Sequence, residues 1–253
     1  MKASQLWIFA IFSGAIALSS AVAAQPTWVI LGDSWGVQIA PIQEEELRAR
    51  GREFPIVNLA EYGTTARAWA TDSAGLLSGA RETLAGLPEE SVALIYVILG
   101  GNDVLERWPQ AGESVYDEVR TDLETISRAL LEAKPNSRVF LASYDLLNFR
   151  QSLFCWGLAI SFFGSGKAAD VNNIFINGTD VVEPAADIDP RVYAFNLMGA
   201  LQGSPGSPNP NRWSPAEYMS LNPVDCIHLN VEGYRIFTSD MFDEIQERLL
   251  GGG

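Results

Sequence analysis

The sequence predicts an α/β fold: a mainly parallel, doubly wound sheet with helices on both faces, forming a three-layer sandwich. Three observations carry this. Residues 28–31 and 92–99 are runs that are apolar throughout, as strands covered on both faces must be. Between such runs, apolar residues recur every three or four positions, the period of a helix packed on one side. Each of the two strongest runs also stops at a glycine-bearing turn, Gly32-Asp33-Ser34 after the first and Gly100-Gly101-Asn102-Asp103 after residue 99. In a parallel sheet with right-handed crossovers these turns share one edge, where open α/β sheets bind ligands.

Residues 1–24 read as a secretory signal. Lys2 supplies the positive start, residues 6–18 are mostly apolar, and Ala21-Val22-Ala23-Ala24 is a small-residue cleavage site. The apolar part is short for a membrane span, so no stable anchor is expected after cleavage, and residues 25–253 are expected to form one domain. The formal net charge is −14, and loss of the leader removes Lys2 and no acid. Such a surface repels phosphate backbones and anionic membranes, and no basic stripe offsets it, so nucleic acid is excluded as a partner. Cys155 and Cys226 are the two cysteines, a number that suits an exported chain. If bridged, they tie the turn around residue 226 to a mid-chain apolar segment. The alternative is two buried thiols.

The first strand, at 28–31, leads toward a helix at 41–50, which Pro41 would start and Gly51 would stop. A second strand follows at 55–60, ending near Glu61-Tyr62-Gly63. Residues 67–87 read as helical with a break near Gly75 or Gly79. The run 92–99 is the central strand. Val115, Val119, Leu123, Ile126 and Leu130 then make one apolar helical stripe, with Ser114 as its cap and Pro135 as its stop. Residues 138–144 and 192–197 are the fourth and fifth strands. The last helix starts near Asn230 and carries Tyr234, Phe237, Met241, Ile245 and Leu249 on one face. One stretch breaks the rhythm. Residues 152–166 are apolar but too interrupted to cross a bilayer, which leaves a helix packed on the core or an apolar wall or lid for an acyl chain. Residues 204–214, rich in Pro, Gly and Asn, read as a loop.

His228 is the single histidine, and Asp225 precedes it by three residues, within reach of a ring nitrogen. That pairing is the orienting and base half of a Ser-His-Asp arrangement. Gly32-Asp33-Ser34, Gly63, Gly100-Gly101-Asn102-Asp103 and Asp225-Cys226-Ile227-His228, in this order and at strand ends, resemble the SGNH hydrolases, also called GDSL esterases and lipases. The resemblance covers nearly the whole chain after the leader. It implies a flavodoxin-like three-layer sandwich with a five-stranded sheet. It also implies Ser34 as nucleophile, His228 as base and Asp225 as its orienting partner. The oxyanion donors would be the backbone N–H groups of Ser34 and Gly63 and the side-chain amide of Asn102. Trp35 stands where the family usually has leucine, which would alter a pocket wall. Asp33 and Asp103 are expected to brace loops.

No spacing suits a metal ligand set and no phosphate-binding glycine loop is present, so no cofactor is expected. The expected activity is that of an exported esterase, periplasmic or extracellular, on lipid-like or short- to medium-chain acyl esters. Trp35, Trp156 and Phe162 are candidate pocket residues, alongside Trp69 and Trp108. A carbohydrate O-acetyl esterase and an acyltransferase are the nearest alternatives, and a non-catalytic glycan- or lipid-binding module is the other class. The oligomeric state and the natural ester have no signature in the sequence.

Overall fold

In the computed structural model, residues 25–179 and 181–245 are described; the expected leader and the predicted helical position Leu249 lie outside them. Five strands form one sheet. They are β1 (Thr27–Gly32), β2 (Ile56–Asn58), β3 (Ala93–Ile98), β4 (Arg138–Ala142) and β5 (Val192–Phe195), in spatial order β2-β1-β3-β4-β5. Every pairing is parallel, with Thr27 opposite Ala93 and Gly32 opposite Ile98 along the central pair. β1 and β3 are buried at every residue, which is why they read as unbroken apolar runs rather than alternating ones. Each fully buried Ile, Leu or Val there contributes roughly 2 kcal/mol of apolar transfer. β2 is an edge strand, shorter than the predicted 55–60, and its residues are only partly covered.

The helices are α1 (Ser34–Ala49), α2 (Ala66–Ala70), α3 (Leu76–Ala85), α4 (Gly101–Ala111), α5 (Ser114–Ala133), α6 (Leu153–Phe163), α7 (Ala168–Thr179), α8 (Val182–Ala186) and α9 (Val231–Ile245). Four of them correct the sequence reading. α1 does not begin at Pro41 but at Ser34, because the Asp33 carboxylate accepts the Trp35 N–H at 2.9 Å and caps the helix there. Pro41 sits inside α1, where its missing N–H leaves the carbonyl one turn earlier without its helical partner. α4 is a helix with no counterpart in the sequence reading, which places only a turn at 100–103; its first turn is the Gly101-Asn102-Asp103 motif itself, with Asp103 favoured beside the positive helix end. α7 and α8 fill a region that the sequence reading left without elements. Ser114 does not cap α5; its hydroxyl donates to the Ala111 carbonyl at 3.0 Å and so closes the end of α4.

The break near Gly75 is where predicted, between α2 and α3, with φ +77 at that glycine. The α5 stripe Val115, Val119, Leu123, Ile126 and Leu130 is buried against the sheet. Several buried polar groups are paired inside the core. The Trp28 indole, buried under the sheet, donates to Gln43 Oε1 of α1 at 2.6 Å. Asp145 accepts the N–H groups of Gly199 and Leu201 at 2.7 Å each, which fastens the loop after β5 to the loop after β4. Among the described residues, no helix is long and apolar enough to cross a membrane.

Candidate active site

β1 has β2 on one side and β3 on the other, so the chain reverses direction of travel across the sheet at the β1–β3 junction, the point where doubly wound folds bind ligands. Ser34 lies at this point as the first residue of α1. The loop after β2 is pinned to the same edge. Glu61 N–H donates to Gly32 O at 3.0 Å, and the Thr64 hydroxyl donates to Gly32 O at 3.2 Å. Within that loop Gly63 holds φ +72, a conformation glycine adopts without strain. Asn102, in the first turn of α4, donates its side-chain amide to Thr64 O at 2.9 Å. An Asn amide has two hydrogens, so one remains for another acceptor. Thr64 therefore ties the segment of Gly63 to Asn102, a link with no sequence signature.

The last part arrives from the far end of the chain. His228 Nε2 lies 2.7 Å from Ser34 Oγ, and His228 Nδ1 lies 2.9 Å from Asp225 Oδ1. A carboxylate on Nδ1 holds the ring proton there and leaves Nε2 free to accept the serine hydroxyl. Burial works to raise the Asp225 carboxyl, but the adjacent imidazole and the N–H groups of His228 and Ile227 outweigh it and hold the group below its ordinary value. The turn 225–228 is also held from outside. Cys226 is bridged to Cys155 of α6, with the Cα atoms 5.4 Å apart, and Gln151 donates to the Asp225 carbonyl. Of the two arrangements open to the cysteine pair, the bridge is the one present, and it is built into the turn 225–228.

Beside His228 a cavity of about 470 Å³ opens, lined by Phe149, Leu158, Phe162, Val224 and Ile227 together with Asp225 and His228. Of the aromatic residues singled out from the sequence, Phe162 faces this cavity. Trp35 does not. It is 3% exposed and packs edge-on against Tyr144, Tyr234 and Phe237, because the early start of α1 turns it into the core. Trp156 is half exposed and lines a separate recess with Arg150, Ser152 and Leu153. Trp69 is buried and its indole donates to Thr64 Oγ1 at 3.1 Å, while Trp108 stacks on Tyr116. Among the described residues, no group of three or more His, Cys, Asp or Glu side chains is gathered in a way that could hold a metal ion.

Asp33 and Asp103 brace the site. Asp103 accepts the N–H groups of Ala66 and Arg67 at 2.7 and 3.2 Å, and so holds the start of α2 from α4. Asp33 accepts the Tyr144 hydroxyl at 2.5 Å as well as the Trp35 N–H. Burial pushes the Asp33 carboxyl up to about 7 from 3.8, against the lowering effect of those two hydrogen bonds. Between these two values the folded protein keeps a proton that the unfolded chain has released. The stability this contributes is complete below about pH 4 and is lost as pH rises through about 7. Asp33→Asn, itself a good cap, is expected to remove this slope, which amounts to at most about 1.4 kcal/mol per pH unit. Urea unfolding across this range measures it; identical pH profiles for the two proteins would contradict the assignment.

No family model matches the sequence, and no curated protein matches it. Solved structures do match the fold. One from Streptococcus pneumonia, named for a platelet activating factor, is 18% identical and superposes with a TM-score of 0.60, covering 89% of this chain and 86% of the other. An extracellular lipase from Streptomyces rimosus is 15% identical, with a TM-score of 0.54 over 87% of this chain and 99% of the lipase. An acetyl xylan esterase is 14% identical, with a TM-score of 0.52 over 86% of this chain and 99% of the esterase. With a parallel sheet of order β2-β1-β3-β4-β5 and helices on both faces, the chain has the α/β fold of the SGNH/GDSL-type hydrolases.

Proposed function

We propose that the protein is an exported serine esterase that cleaves carboxylic esters of apolar acyl chains through an acyl-enzyme on Ser34. The observation that carries this reading is the continuous hydrogen-bonded series from Ser34 Oγ through His228 to Asp225, set beside an apolar cavity. A serine hydroxyl becomes a competent nucleophile when a base takes its proton, and an imidazole acceptor at 2.7 Å is within transfer distance. Ser34 Oγ attacks the ester carbonyl as its proton passes to His228 Nε2. The tetrahedral intermediate collapses, the C–O bond to the alcohol breaks, and His228 returns the proton to the leaving oxygen. Water then attacks the acyl-enzyme with His228 again as base, which releases the acid and restores Ser34. Asp225 stabilises the imidazolium without taking its proton.

The carbonyl oxygen carries negative charge at each attack. Ser34, as a first-turn helix residue, has an N–H without an intrahelical partner, and the second amide hydrogen of Asn102 and the N–H of Gly63 complete a set of donors at this edge. Residues 1–24 and the disulfide support an exported location.

The cavity sets the expected substrate class. Its volume falls within the range of small-molecule sites, and its lining beyond Asp225 and His228 is largely apolar. Each methylene buried there contributes about 0.8 kcal/mol, close to fourfold in affinity. Along a series of p-nitrophenyl esters, kcat/KM is therefore expected to rise about fifteenfold from acetate to butanoate and to keep rising until the cavity is filled. A sharp preference for acetate would favour a carbohydrate O-acetyl esterase instead. A flat profile would remove the cavity from the reading.

A further inference from the structure

Trp35 stands where the family that the sequence resembles usually has leucine, and the structure gives its indole nitrogen a partner that leucine would not have. We infer that Trp35 is a positioning residue for the base: its indole N–H holds the turn 225–228 so that His228 meets Ser34. This rests on the hydrolase reading above. The indole donates to the Ile227 carbonyl at 3.2 Å, across 192 residues of chain. The same residue's backbone N–H donates to Asp33 Oδ1 at 2.9 Å. One residue therefore connects the cap of the helix that starts at the nucleophile to the peptide just before the base.

Its own position is closed on several sides. Tyr144, which also donates to Asp33, lies 5.3 Å away between ring centroids. Tyr234 and Phe237 of α9, which follows His228 closely in the chain, lie at 5.5 and 5.4 Å. All three contacts are edge-on, a favoured arrangement for aromatic pairs, and at 3% exposure the ring has little room to turn. The turn is then held at successive residues from two sides. Gln151, just before α6, holds residue 225, the disulfide holds residue 226 from α6, and Trp35 holds residue 227 from α1. Proton transfer needs heavy atoms within about 2.6–3.2 Å, and a displacement of about 1 Å can cost about a hundredfold in rate. A carbonyl freed from its donor would let the turn move away from Ser34.

Trp35→Phe keeps an aromatic ring and removes the N–H. It is expected to lower kcat at least tenfold with KM within twofold. The rate of labelling by a fluorophosphonate should fall by the same factor, while the number of labelled sites at completion stays unchanged. Because His228 is the only histidine, its ring resonances can be followed in the histidine-labelled protein without assignment ambiguity. The Nδ1 proton signal is expected to broaden in the variant. A loss of packing alone would lower the folded fraction, and with it the number of labelled sites, and would leave kcat per labelled site intact. Site-specific replacement of Trp35 by benzothienylalanine, which keeps the ring shape and substitutes sulfur for N–H, provides the same test should Trp35→Phe not fold. Wild-type kcat per labelled site in either variant would overturn the inference while leaving the hydrolase reading in place. A wild-type protein that neither hydrolyses esters nor reacts with the probe would overturn both.

Discussion

His228→Ala is expected to lower kcat by a factor of about 10⁴–10⁶, with KM changed only a few-fold. The size follows from the composition: no second histidine exists to take over the proton, and water does so poorly. Ser34→Ala is expected to fall in the same range, because it removes the group that becomes acylated. The two losses should not add. Nucleophile and base act in one step, so the double variant should be little slower than either single one. Asp225→Asn keeps much of the shape but presents an amide to Nδ1 and favours the wrong ring tautomer, so its expected loss is smaller, about 10³–10⁴-fold. Steady-state hydrolysis of a p-nitrophenyl ester measures all four. A His228→Ala protein that retained a tenth of wild-type turnover would contradict the assigned base.

The second large effect concerns stability. The Cys155–Cys226 bridge spans a separation of 71 residues, and the chain-entropy model gives roughly 4 kcal/mol for closing a loop of that length. For a protein of this size that corresponds to a fall in Tm of about 10 °C on changing both cysteines to serine. Activity should suffer below that temperature as well. Cys226 lies between Asp225 and His228, so the bridge restrains the turn 225–228 directly. Thermal unfolding and ester turnover of the double serine variant, or of the reduced protein, measure the two effects together. A Tm within a degree of wild type would mean that the unfolded chain is not restrained by this link.

The legible parts of this protein were those written in long-range pattern. β1 and β3 lie under helices on both faces, so their residues are uniformly apolar and their ends are sharp in the sequence. The α5 stripe was visible for the same reason. The segments that follow β1 and β3 carry Ser34 and Asn102 at helix starts, and a single histidine leaves one residue that could serve as an imidazole base. What was hidden depended on contacts between distant segments. The start of α1 at Ser34 rests on the Asp33 cap, while Pro41 is the local signal that points elsewhere. Trp35 looked like a pocket wall because an aromatic beside a nucleophile gives no hint of which way it faces, and the capped helix turns it inward against α9. Thr64 and Gln151 hold the site through backbone carbonyls, an arrangement that no residue pattern announces.

On the proposed mechanism, the Ser34 hydroxyl is activated by His228. A fluorophosphonate probe followed by peptide mass spectrometry tests it most directly. One adduct per molecule is expected, on the peptide that contains Ser34, formed rapidly by the wild type and not detectably by His228→Ala over the same interval. An adduct on another serine, or equal labelling of the two proteins, would contradict it.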